Sequence, residues 1–221
     1  MKSLRLRLEL GAATTHPMHE FVCRRDDFTR TRLLHWNPDV ERTTSMIFHV
    51  EGDDSEAYDA ALDDVAAVEE YRLSVRDGGS FYVYVREEQA AADARLMSVF
   101  SGGNLVVVPP VEYRSDRSMV FSLVGTTEAV QSAVGETPDE VGVDVLRVAD
   151  YDAGAVDPML QITPRQREAV TAAVDVGYYG ATRDGSVADV AEALDCSTAT
   201  AAEHLRKAEA EIVSRAVERR L

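Results

Sequence analysis

Ser186-Val-Ala-Asp-Val-Ala-Glu-Ala-Leu194, then Asp195-Cys196, then Ser197-Thr-Ala-Thr-Ala-Ala-Glu-His-Leu-Arg-Lys-Ala208 is the stretch that decides how the C-terminal part of this chain folds. Ser186 and Ser197 each stand where a helix begins, as residues whose hydroxyl caps the first free backbone N–H groups. Val187, Val190, Ala191 and Leu194 recur at helical spacing, as do Ala201, Leu205, Ala208 and Ile212. Only a tight turn fits between the two helices. Asp195 takes the turn position where glycine is common in helix-turn-helix units, and a left-handed conformation there is one that aspartate tolerates. Helices joined in this way cross steeply and leave the second free to enter a DNA major groove.

A third helix comes first. In Thr163-Pro-Arg-Gln-Arg-Glu-Ala-Val170, Thr163 is the N-cap, Pro164 the first helical residue and Gln166 the capping-box partner. Val170, Ala173, Val174 and Gly177 are expected to continue its buried face. Tyr178-Tyr179-Gly180 ends it, and Asp184-Gly185 turns the chain toward Ser186. Residues 162–221 are thus expected to form an all-α helix-turn-helix domain. Its tail from Glu209 to Leu221 carries an apolar stripe, Ile212, Val213, Ala216, Val217 and Leu221, of the kind that packs on its own core or on a second subunit; a homodimer would suit paired half-sites.

The composition pulls the other way. Asp and Glu number 39 against 23 Lys and Arg, a net charge of -16, and only Lys2 and Lys207 are lysine. In an ordinary cytosol this would argue against nucleic acid. An aspartate-rich, lysine-poor chain looks like a protein of an extreme halophile. There the Debye length shrinks to about 3 Å, and an acidic surface serves solubility at little cost in self-repulsion. Residues 1–159 hold a net of -14 and residues 160–221 only -2, so the helical end is the less acidic one. No apolar run reaches the length of a membrane span, and Met1-Lys-Ser-Leu-Arg5 reads as the start of a strand, so a soluble, cytoplasmic protein is expected. Cys23 and Cys196 are read as small buried residues, not as a disulfide or a zinc site.

In residues 1–159 alternation and β-branched content mark strands at Leu4–Leu10, Arg30–Trp36, Ser45–Val50 and Val68–Val75. A short helical piece, His16–Cys23, and an acidic helix, Ser55–Val65, capped by Ser55, lie between them. The order repeats with a strand at Ser80–Arg86, a helix at Gln89–Phe100, strands at Asn104–Val111 and Met119–Val124, a helix at Thr126–Val134 and a strand at Val141–Val148. Both halves read βαββαβ, the ferredoxin-like order. The expectation is an α+β chain: two tandem ferredoxin-like, ACT-like modules at 1–78 and 79–150, a linker at 151–161, and the helical domain. Such modules bind small molecules or hold subunits together, so a small-molecule effector is a possible partner.

No constellation supports catalysis. The acidic pairs, such as Asp53-Asp54 and Glu87-Glu88, are adjacent residues that point apart. No GxSxG, P-loop, GxGxxG with its acidic partner, or HExxH occurs, and neither an enzyme nor a cofactor is expected. His16 and His19 have a spacing that would suit a metal, but no matching carboxylate can be placed and packing histidines are the favoured reading, so no metal is expected. The double proline in Val106–Tyr113 is read as an edge strand protected from pairing.

Ile162-Thr-Pro-Arg-Gln-Arg-Glu-Ala169, Gly177-Tyr-Tyr179, Val187-Ala-Asp-Val-Ala-Glu-Ala-Leu194 and Ser197-x-x-Thr-x-x-x-His-Leu-Arg-Lys-Ala-Glu209 together resemble the bacterio-opsin-activator-type helix-turn-helix family of haloarchaea, over about residues 160–217. The resemblance implies a transcription regulator bound to double-stranded promoter DNA, often with an N-terminal sensor. Glu203 departs from expectation, since a cation is usual on the recognition helix. With Ala201, Leu205 and Ala208 inward, Thr198, Thr200, Ala202, Glu203 and Arg206 project outward. Thr200 and Ala202 suit thymine methyls, Glu203 can accept from cytosine N4, and Arg206 can reach guanine. Lys207, Arg165, Arg167 and Arg183 are phosphate candidates, joined by the backbone N–H groups at the helix start around Ser197. The alternative is an adaptor that uses the same three helices to reach promoters through another protein.

Overall fold

Leu4, Leu6 and Leu8 turn the same way along the first strand, and all three are buried; the partners they find set the topology. In the computed structural model, which describes residues 1–11, 14–38, 43–88, 99–100, 104–138, 140–151, 158–182 and 184–218, two compact units form, Met1–Tyr151 and Asp152–Leu221.

The first unit comprises β1 (Lys2–Glu9), α1 (Pro17–Cys23), β2 (Phe28–Pro38), β3 (Thr43–Gly52), α2 (Ser55–Asp63), β4 (Val68–Arg76), β5 (Ser80–Glu88), β6 (Leu105–Tyr113), β7 (Ser118–Gly125), α3 (Thr127–Glu136) and β8 (Gly142–Asp150). Its strands join into one eight-stranded sheet, β4-β5-β3-β2-β6-β7-β1-β8, antiparallel throughout. This corrects the expectation of two separate modules. Strand β1 pairs with β7 and β8, so that Leu6 faces Phe121 and Val145. Strand β5 in turn lies between β3 and β4. Each half of the sheet therefore holds three strands from its own part of the chain and one from the other, and β2 joins β6 at the seam through Thr31–Leu33.

Two apolar clusters lie under the sheet. Leu4, Leu6, Leu8, Phe121 and Leu123 pack on Val130 and Ala133 of α3. Val50, Phe81 and Val83 pack on Tyr58 and Leu62 of α2 and on Met18 and Val22 of α1. Full burial of each of the Val, Leu, Phe and Met side chains among them contributes about 1.5–3 kcal/mol. The expected helix Gln89–Phe100 lies outside the described residues except for Val99 and Phe100. The latter is helical and buried edge-on against Phe121.

Three further readings are corrected. The cap of α2 is Asp54, whose carboxylate accepts from the Ala57 N–H at 2.9 Å, and not Ser55. The double proline does not mark an edge. Strand β6 is paired on both sides, and Pro109-Pro110 fall in a bulge between Val108 and Glu112, where the ladder to β7 is interrupted and no proline N–H is needed. Cys23 and Cys196 are only partly buried, and both are free. The histidines have other tasks: Nδ1 of His16 accepts from the Met18 N–H to cap α1, and His19 is buried with Nε2 2.7 Å from the Arg114 carbonyl.

Candidate nucleic-acid interface

The second unit holds a 3-10 turn at Pro158–Leu160, then α4 (Pro164–Asp175), α5 (Val187–Ala193) and α6 (Thr198–Glu218). Each start is built from its own side chains. Thr163 accepts from the Gln166 N–H while Gln166 returns a bond to the Thr163 N–H at 2.8 Å. Ser186 and Asp189 repeat the reciprocal arrangement at α5, and Ser197 accepts from the Thr200 N–H at 3.1 Å. Asp195 stands between α5 and α6 with φ of 50°. Next to it the Cys196 N–H closes on the Ala191 carbonyl at 3.0 Å.

The core is small and tight. Ala169 and Ala173 of α4, Val190, Ala191 and Leu194 at α5, and Ala201 and Leu205 of α6 are all buried. Alanines at the crossing let the helix backbones approach closely. Val174, expected inward, is exposed instead; the buried stripe runs through Ala169 and Ala173, which places Val174 one helical step away from it. Gly185 is buried and rides on the C-terminal end of α4, where a Cβ would stand 2.2 Å from the Val176 carbonyl oxygen.

Helix α6 presents Thr198, Thr200, Ala202, Glu203, Arg206 and Lys207 to solvent. Ala199 shares that exposed face and was passed over in the sequence, although the spacing of 199, 202, 203 and 206 is the i, i+3, i+4, i+7 signature. The Thr200 hydroxyl is bonded to the Ser197 hydroxyl at 2.8 Å. Glu203 holds Lys207 at 2.7 Å, and this contact keeps the Glu203 carboxyl below its usual range. Arg206 makes no ion pair among the described residues.

The phosphate candidates divide. Arg165 donates to the Leu194 carbonyl at 2.7 Å and to Glu168 at 2.7 Å, bracing the start of α4 against the end of α5. Arg167 donates to the Met159 carbonyl at 2.5 Å. Arg183 lies outside the described residues. Sequence reasoning also missed Tyr179, whose hydroxyl donates to Glu209 at 2.6 Å and ties the segment after α4 to α6; burial and this bond push its pKa up.

A three-helix unit with a capped, outward-facing last helix is the geometry of a major-groove reader. Residues 162–214 match the family described as HTH_10, HTH DNA binding domain, which is of the bacterio-opsin-activator type. Residues 16–151 match the N-terminal family HVO_0513_N. The chain belongs to this haloarchaeal family. No curated protein matches it. Membership makes the helical unit a DNA-binding domain and points to a transcription regulator rather than an enzyme. No helix among the described residues is long and apolar enough to cross a membrane.

Proposed function

We propose that this protein is a sequence-specific, DNA-binding transcription regulator whose helix α6 reads base edges in the major groove, and whose N-terminal unit senses an effector or assembles subunits. The observation that carries this reading is the exposed stripe of Ala199, Ala202, Glu203 and Arg206 on a helix fixed at its start by Ser197. Two small residues allow close approach to the bases, and Arg206 has a guanidinium available for guanine O6 and N7. Backbone N–H groups at the start of α6, with Lys207, hold phosphates. Arg165 and Arg167 act mainly by bracing the helices.

The tail of α6 leaves Val213 and Val217 exposed, one turn apart. This stripe suits a second copy of the chain, and a homodimer on paired half-sites follows from it. The test is genome-wide DNA occupancy in the native cell for wild type beside Arg206→Ala with Thr200→Ala. Peaks that share a motif and vanish in the variant support direct reading. Peaks that the variant retains without a common motif overturn it in favour of recruitment through a partner protein.

A further inference from the structure

The helices cover one face of the β4-β5-β3-β2 half-sheet, and the opposite face is built from a different chemistry. Phe81, Val83 and Val85 turn toward the helices and are buried, so Tyr82 and Tyr84 turn away, each 37% exposed. The register places Arg32, His49, Tyr82 and Ser74 in one row across the four strands. The next row is His35, Ile47, Tyr84 and Arg72. On the two central strands His49, Tyr82 and Tyr84 thus stand beside Ile47, and the outer strands carry Arg32 and Arg72 with His35 and Ser74. His49 and Tyr82 are in ring contact at 5.0 Å, and the Arg76 guanidinium stands 5.9 Å from the Tyr82 ring centre. Ser45 lies 3.5 Å from the Tyr84 hydroxyl.

A chain of net charge -16 has concentrated arginine around this aromatic patch. Arg76 makes no ion pair among the described residues. Arg72 with Glu70 at 3.5 Å is paired at the surface, where such a pair is worth little and a phosphate can exchange into it; Arg32 is part-buried and held by Glu51 at 2.7 Å at the edge of the patch. Tyr82 and Tyr84 are two residues apart on one strand, about 6.7 Å, so successive bases can lie on successive rings. Every base has a flat π face that stacks on such a ring, and a four-stranded sheet with exposed central aromatics is a recurrent platform for single-stranded RNA. Ser45 and Ser74, beside the rings, offer partners for the ribose 2′-hydroxyl.

We propose that this sheet face binds single-stranded RNA, stacking two or three bases on Tyr82, Tyr84 and His49 with phosphates held by Arg72 and Arg76. The site is separate from the duplex contact of α6 and gives the N-terminal unit a ligand of defined class.

The experiment is fluorescence anisotropy of a labelled single-stranded uridine decamer with the full-length protein, over about 0.2 to 2 M KCl, since phosphate contacts weaken with salt while stacking persists. Tyr82→Ala with Tyr84→Ala is expected to weaken binding by about tenfold or more. Tyr82→Phe with Tyr84→Phe, which keeps the rings, and Arg206→Ala, which changes only α6, should both bind as wild type does. Unchanged Trp36 fluorescence melting shows that the variants are folded. Absence of binding by the wild type overturns the proposal, as does loss on Arg206→Ala but not on Tyr82→Ala with Tyr84→Ala. A deoxythymidine decamer that binds as tightly reassigns the face to single-stranded DNA, and uridine monophosphate competing on equal terms reassigns it to a free nucleotide.

Discussion

Gly185→Ala is the sharpest test of how the helical unit is packed. A Cβ built at Gly185 lies 2.2 Å from the Val176 carbonyl oxygen and 2.9 Å from both the carbonyl carbon and a side-chain methyl of Val176. Normal carbon–oxygen contact is about 3.3 Å, so about 1.1 Å of overlap must be relieved. The nearest atom is backbone at the end of α4, and Ser186, the cap of α5, is the next residue, so no flexible side chain can give way. Overpacking costs about 1–3 kcal/mol, and a rigid neighbour on both sides puts this case near 3 kcal/mol. For a unit of this size that lowers Tm by about 12–24 °C. The chain's one tryptophan, Trp36, reports the sheet unit by fluorescence, while helical ellipticity follows mainly the helical unit. The ellipticity transition should fall and the Trp36 transition should stay. Gly135→Ala is the control: a Cβ there meets nothing within 4 Å, and Ala in a helix gains up to about 1 kcal/mol over Gly. A Gly185→Ala ellipticity transition within about 2 °C of wild type would refute the packing argument.

Glu20 accepts from Arg117 at 2.7 and 2.8 Å and from Arg24 at 2.8 Å, which lowers its pKa from 4.5 to about 2. Its folded value lies below the unfolded one, so the stability it contributes is complete above about pH 4.5 and is lost as pH falls toward 2; acid titration of Trp36 fluorescence should show a flatter fall over that window in Glu20→Gln. Lys207→Gln should remove one phosphate contact and flatten the salt slope of operator binding by about 0.9, and an unchanged slope would place Lys207 away from the backbone. Val213→Asp with Val217→Asp should convert a dimer to a monomer in sedimentation and weaken binding to paired half-sites more than to a single one; a wild type that already sediments as a monomer rules this out.

The helical unit was legible because its signals are local. Thr163, Pro164 and Gln166 specify a helix start within four residues, Ser186 and Ser197 do the same, and the Ala201, Leu205, Ala208 stripe fixes the inward face. What failed there, Val174, failed because Ala169 with Ala173 and Val170 with Val174 make adjacent apolar stripes on α4, and only the crossing with α5 and α6 selects the first. In the sheet unit the strands were legible and their partners were not. Alternation in Leu4-Arg-Leu-Arg-Leu says that one face is buried but does not say against which strand, and Leu6 fits beside Phe121 as well as it would beside Leu33. The exposed Tyr82 and Tyr84 read as ordinary strand residues until the register set them in rows with His49, Arg32 and Arg72.

The exchange of β1 and β5 between the two halves of the sheet also governs when the molecule can finish folding. Lys2 pairs with Gly125 on one side and Asp150 on the other. During synthesis the first strand must therefore wait, its leucines uncovered, until almost the whole of the N-terminal unit has left the ribosome. A nascent chain stopped near residue 88 can assemble β2 to β5 around α1 and α2 but leaves β1 without either neighbour. Long-range closure of this kind is slow, and the waiting strand is an aggregation hazard; its alternating arginines, Arg5 and Arg7, are the charges that guard it. The unit closes once, late, with its two ends side by side, just as the first residues of the helical unit begin to emerge.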